Sequence, residues 1–152
     1  IDVIYSSDSY RAIGTSKYLA EKNNLKIKLD NRINERKLGC EKISDLPLDF
    51  FRNSFDNKDL KFASGESLNE VDSRFNSFLN NVLDGTDNNI VLVIHGMILM
   101  SYLKSICDFN FDGNNFKINF NHIEVMNGRF KNPDVFKICF EDKKVVSIEN
   151  IN

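Results

Sequence analysis

The sequence predicts an α/β protein: a three-layer α/β/α sandwich whose mainly parallel mixed sheet is flanked by antiparallel C-terminal strands. Three observations carry that reading. Two apolar, β-rich runs, Val3 to Tyr5 and Ile90 to Ile94, each stop at small or polar residues and lead into a helix-like stretch, the strand-turn-helix rhythm of a parallel sheet. Between them, Leu68, Val71, Phe75, Phe78, Leu79 and Val82 recur at three- and four-residue steps, which draws one apolar face on a helix. In the C-terminal third the stretches Lys117 to Met126, Val135 to Phe140 and Val145 to Ile148 alternate or are β-rich. Asn127-Gly128 and the run Glu141 to Lys144 separate them, as turns between antiparallel strands would.

In chain order, the strand Val3 to Tyr5 is closed by Ser6-Ser7-Asp8-Ser9, a cluster of N-cap residue types that opens a helix running to about Lys22. Leu25 to Leu29 is a candidate second strand. From Asp30 to Ser64 there is little periodicity, and Pro47 interrupts it, so this stretch reads as loop with one short helix near Leu46 to Arg52. Ser67-Leu68-Asn69-Glu70 has the form of a capping box, in which hydroxyl and carboxylate satisfy each other's orphan backbone N–H groups; Gly85 is the matching stop. Ile90 to Ile94 is continuous and β-branched, as a central strand covered on both faces would be. His95-Gly96 ends it, and Met97 to Ile106 reads as the next helix. No internal repeat or linker divides the chain, so residues 1–152 form one domain.

Composition narrows the function. The chain has 152 residues, 41% of them hydrophobic, enough for one soluble globular domain with a real core. Lys and Arg number 20 against 22 Asp and Glu, and no cationic stripe offers a surface to nucleic acid or to an anionic membrane. The longest apolar run, Ile90 to Ile94, is far short of the ~18 residues of a membrane span. Cys40, Cys107 and Cys139 are odd in number and far apart, which suits reduced thiols in a cytoplasmic protein. Oligomeric state is not legible. The chain opens on Ile1-Asp2-Val3, inside an apolar run and without Met, so a segment upstream is expected.

In open α/β sheets, ligands bind beyond the carboxyl ends of the strands, beside helix N-termini that favour anions. Arg11 lies in the first turn of a predicted helix, where a cation opposes the macrodipole. It either pairs with a surface carboxylate or awaits an anion. His95 leaves an apolar strand directly before Gly96, where the missing Cβ lets a ligand or another backbone come close. Read together, Arg11, His95 and Gly96 make a candidate phosphate site; read singly, His95 is equally a core histidine satisfied by backbone. Ser6 and Ser7 read as caps, and His122 as structural. With two His and no ligand-spaced Cys or His pair, no metal site is expected.

Four segments in order resemble the histidine phosphatase superfamily, also called phosphoglycerate-mutase-like. Ile4 to Thr15 is similar to its strand-turn-helix segment Y-[ST]-S-P-L-x-R-A-x-x-T, whose phosphate-binding arginine matches Arg11. Arg32-Ile33-Asn34-Glu35-Arg36-Lys37-Leu38-Gly39 resembles R-L-x-E-x-x-x-G, which implies Glu35 as proton donor and acceptor. Gly65-Glu66-Ser67 matches a G-E-S helix opening, and Ile94-His95-Gly96 resembles S-H-G, which implies His95 as the second active-site histidine. Asp8-Ser9 stand where Pro-Leu is usual, Ile94 where Ser is, and Cys40-Glu41-Lys42 where Trp-Glu-Gly is common. The family's nucleophile belongs to an R-H-G tripeptide on a first strand, and this sequence has none. The resemblance therefore implies an N-terminally truncated domain, lacking a central strand between Val3–Tyr5 and Ile90–Ile94.

What the resemblance implies is a phosphomonoester hydrolase acting on a small phosphorylated substrate through a phosphohistidine, with no metal or cofactor. A cofactor-dependent phosphoglycerate mutase would use the same residues; mutases carry a longer insertion where this chain runs from Gly39 to Ser64. A phosphate-binding regulatory module without turnover is the reading from outside enzymology.

Overall fold

A computed structural model describes residues 1–151 of the chain. Strand β1 (Val3–Ser6) leads into helix α1 (Tyr10–Asn23), followed by β2 (Ile27–Leu29), a short α2 (Phe50–Asp56) and the long α3 (Leu68–Leu83). Then come β3 (Ile90–Val93), α4 (Gly96–Ile106) and the strands β4 (Asp108–Phe111), β5 (Phe116–Phe120), β6 (Ile123–Gly128), β7 (Phe136–Glu141) and β8 (Lys144–Asn150). The fold is α/β, and no helix among the described residues is long and apolar enough to cross a membrane.

Local chemistry accounts for the helices. Ser9 caps α1 through its hydroxyl, which accepts from the Ala12 N–H, and Asn24 ends the helix in the left-handed region at φ 52°. The box at α3 forms: Ser67 accepts from the Glu70 N–H at 3.2 Å, and Glu70 accepts from the Ser67 N–H at 2.8 Å. The six apolar residues that predicted this helix are all buried.

β1 is the centre of a parallel three-stranded sheet, in the order β2-β1-β3. Successive strand residues face opposite sides. On one side Tyr5 meets Phe78 of α3 edge-on, with ring centroids 5.3 Å apart; on the other, Ile4 is fully buried and α1 packs against the sheet through the small residues Ala12, Ser16 and Ala20. A second core joins Phe55, Leu68 and Leu103 to Phe116, Ile118, Val125, Met126 and Ile148.

Five expectations need correction. The strands β1 and β3 pair directly, Val3 with Ile90 through Ser6 with Val93, so no strand is missing between them. β3 is instead an end strand of that sheet, and its residues are half-buried rather than enclosed. The C-terminal strands are antiparallel as expected, but they form a separate β4-β5-β6 sheet and a β7-β8 hairpin, because Ile138, Phe140 and Val145 pack on the core without pairing to β3. The stretch Lys117 to Met126 is two strands. Asn121 and His122 both take positive φ, at 49° and 66°, and make a two-residue hairpin turn there, whereas Asn127-Gly128 ends β6. Finally, the short helix begins at Phe50 rather than near Leu46, since Pro47 starts a turn and Asp49 takes a left-handed backbone at φ 58°.

Candidate active site

The site is built at the carboxyl ends of β1 and β3, where the ladder continues past the strands. The Ser7 N–H donates to the Val93 carbonyl at 3.1 Å, and this holds the β1–α1 turn beside the β3–α4 turn. His95 keeps an extended backbone as the residue before α4 and makes no capping bond, so its ring is free to face Ser7. It is 7% exposed.

Both ring nitrogens of His95 are engaged. Arg11 reaches Nδ1 with Nε at 3.2 Å and Nη2 at 3.0 Å, while Ser7 Oγ lies 2.6 Å and Ser9 Oγ 3.3 Å from Nε2. A guanidinium only donates, so Nδ1 must hold the lone pair and Nε2 the proton. His95 is therefore a neutral donor to Ser7. Burial lowers its pKa, as do the nearby charges of Arg11 and Arg74, with Asp8 opposing them. Two chemistries drop out at once. His95 cannot take a proton from Ser7, because the nitrogen facing that hydroxyl is already protonated, and its own lone pair is covered by Arg11.

Glu35 is the third group. Its carboxylate accepts from the Arg36 N–H at 2.9 Å and lies near the Met97 N–H in the first turn of α4, where a helix favours an anion. Burial nonetheless raises its pKa, against those N–H groups and the charges of Arg11 and Arg74. Glu35, His95 and Arg11 thus come together around the start of α4. Gly96 has a smaller part than its position promised, since an added Cβ would meet only the flexible end of Met100 at 3.3 Å.

The loop that presents Glu35 is fastened by residues that sequence reasoning did not single out. Arg74 of α3 donates to the Arg32 carbonyl at 2.6 Å, to the Glu35 carbonyl at 3.4 Å and to both oxygens of Glu66. Arg36, only 3% exposed, donates to the carbonyls of Glu66 and Leu60 and lies over the Phe50 ring at 5.0 Å. Gly39 and Gly65 are where backbones touch: a Cβ on Gly39 would come within 2.2 Å of the Phe62 carbonyl oxygen, and one on Gly65 within 2.6 Å of Leu38. The one available signal for these roles was the pair of glycine-bearing segments themselves. His122 is remote, in the β5–β6 turn beside Cys107 and Asp108, and the three cysteines are free thiols.

Arg11, a neutral His95 and the half-buried Glu35 are thus gathered at the strand ends of an α/β fold, the place where free backbone N–H groups and helix dipoles favour anions. The family model of the histidine phosphatase superfamily (branch 1) matches residues 1–132, and the chain belongs to that family. Among solved structures, a mycobacterial glucosyl-3-phosphoglycerate phosphatase is similar at TM-score 0.59 and 23% identity, over 68% of this chain and 57% of that one. Bacillus stearothermophilus YhfR is similar at TM-score 0.57 and 19% identity, over 81% of this chain and 74% of that one. A phosphoglycerate mutase from Thermus thermophilus follows at TM-score 0.53 and 19% identity, over 86% and 75%. The alignment thus spans less than two thirds of the mycobacterial phosphatase. No curated protein matches the chain in sequence.

Proposed function

We propose that the complete protein hydrolyses phosphomonoesters through a phosphohistidine, with Arg11, His95 and Glu35 as catalytic groups and the Gly96 N–H as a further phosphate donor. The observation that carries this reading is the meeting of Arg11 and His95 within hydrogen-bond distance, with the Glu35 carboxyl, presented by the loop after β2, close enough to feel the Arg11 charge.

The nucleophile is a histidine outside residues 1–152. Supporting this, the chain holds only two histidines; His95 has its lone pair under Arg11, and His122 is in a distant turn. The outer edge of β3, which no described strand pairs, offers a place for the strand that would carry it. In the first step the P–N bond forms as the ester P–O bond breaks. Arg11 takes the charge that develops on the equatorial oxygens, and His95 turns its Nε2–H from Ser7 to one of them. Glu35, kept protonated to higher pH by burial, gives its proton to the leaving alkoxide. Glu35 then takes a proton from the water that attacks phosphorus, the P–N bond breaks, and phosphate leaves. A reduced, cytoplasmic setting fits the free thiols.

Return of the phosphoryl group to a bound sugar acid is the second reading. The compact run from Gly39 to Ser64, folded back on the start of α3 through Gly39 and Gly65, favours water as acceptor. Incubating the complete protein with radiolabelled p-nitrophenyl phosphate and dividing the quenched sample between alkali and acid tests the scheme, since phosphohistidine survives base and is lost in acid whereas phosphoserine survives acid. Turnover with a labelled histidine outside residues 1–152 is expected; turnover with label on a serine would overturn it.

A further inference from the structure

We propose that the groove lined by Asp8, Leu29, Asp30, Asn31 and Arg32 receives the alcohol part of the substrate, and that Asp8 selects phosphomonoesters whose alcohol carries no negative charge. The inference rests on the phosphatase reading above and adds the substrate class to it.

Position comes first. Asp8 lies between Ser7 and Ser9, whose hydroxyls both face His95 Nε2. Its own N–H donates to the Asn34 side chain at 3.1 Å, and Asn34 is the residue before Glu35. Asp8 therefore stands between the group that faces the phosphoryl oxygens and the group that protonates the leaving oxygen. In an in-line displacement the leaving oxygen lies between phosphorus and its proton donor, so the alcohol attached to it extends past Asp8. Asp8 is itself a lining residue of the groove, whose other walls come from Leu29 at the end of β2 and from Asp30, Asn31 and Arg32 just after it.

Charge comes second. Arg32 is the one cation among the groove's lining residues, and Asp30 engages it from Nε at 3.0 Å and Nη2 at 2.7 Å. The exposed carboxylate of Asp8 has no ion-pair partner among the described residues, which leaves the groove net negative. Arg11 is engaged with His95 Nδ1 and, on the phosphatase reading, committed to the phosphoryl group. A carboxylate or second phosphate on the alcohol would meet Asp8, while the one lining cation, Arg32, is already paired with Asp30. Hydroxyl groups find acceptors at Asp8 and Asn31, and an ammonium finds a counter-charge. The proline usual at this place in the resembled segment would supply neither the carboxylate nor the N–H bound to Asn34.

The test compares phosphoethanolamine, glycerol phosphate and phosphoglycerate on the complete protein, by kcat/KM and by calorimetric Kd on the Glu35→Gln form. The first two are expected to exceed phosphoglycerate by about tenfold, the size of one partly screened charge contact. Asp8→Asn keeps the backbone N–H and should bring the ratio near one, and Asp8→Lys should reverse it. Equal use of phosphoglycerate by the unaltered protein, or a ratio unmoved by both substitutions, would overturn the groove assignment while leaving the phosphatase reading intact. The same charge order in Kd with no hydrolysis of any ester, p-nitrophenyl phosphate included, would uphold the groove and sink the phosphatase reading.

Discussion

The nitrogen of His95 that holds the proton decides what the ring can do. With Arg11 on Nδ1, the imidazole is a fixed donor, and Ser7 is its acceptor in the resting site. Ser7→Ala should leave Nε2–H only the longer contact to Ser9 and lower stability by about 1 kcal/mol. Nitrogen NMR on His95 should still report the Nε2–H form, because Arg11 sets it; a switch to Nδ1–H would show that Ser7 does. Glu35 yields the sharper kinetic prediction. Glu35→Gln should slow alkyl phosphates far more than aryl phosphates, because a nitrophenolate leaves without a proton and an alkoxide does not. The alkyl rate should fall as pH rises through the Glu35 pKa, above the ordinary carboxylate range, and that limb should vanish in the Gln variant. The same shift links to folding. An acid whose pKa is raised by folding contributes stability below its unfolded pKa and loses it as pH rises through the folded value, so at neutral pH Glu35→Gln should raise Tm while lowering activity.

At the scale of elements, the most informative piece is the segment from Asp30 to Gly39, which has one short helical turn and yet carries Glu35. Regular hydrogen bonding does not hold it. Arg74 reaches it from α3, Arg36 plugs it into the carbonyls of Leu60 and Glu66, and the Lys37 N–H donates to the Glu66 carboxylate at 2.9 Å. Because Arg74 is bound to the carbonyls of Arg32 and Glu35 together, Arg74→Met should cost about 2 kcal/mol and reduce kcat on alkyl phosphates, with aryl phosphates less affected. A uniform loss across leaving groups would mean that Arg74 only stabilises the fold. Gly65→Ala tests the backbone contact directly: its Cβ would meet main-chain atoms of Leu38 that cannot move aside, so a loss of at least ~2 kcal/mol is expected, read as a drop in Tm.

For the whole molecule, the open feature is the outer edge of β3. Its residues are half-buried, apolar and unpaired on that side by any described strand. Unpaired, half-covered strand edges are costly and prone to association. Residues 1–152 alone should therefore turn over no p-nitrophenyl phosphate above background, and the β3 amides should exchange rapidly with solvent. A protein extended upstream of Ile1 should gain activity and protect those amides together. Full activity from residues 1–152 with a cooperative melt would place the nucleophile within this chain.

Much of this protein could be read locally. The capping box at Ser67, the apolar face of α3 and the turn at Asp142-Lys143 each depend on residues a few places apart, and all three form as the sequence predicts. Arg11 and His95 were legible for the same reason, as polar residues just beyond apolar strands. The hairpin at Asn121-His122, hidden in a continuous β-rich pattern, was not. Nor was the edge position of β3, since an apolar run records how much surface is covered but not which strand lies beside it. Ser7 and His95 are 88 residues apart, and Arg74 and Arg32 are 42. Contacts at that range exist only once the sheet has closed. It is those contacts that choose the tautomer of His95, bury Glu35 and bring Asp8 to the wall of the groove.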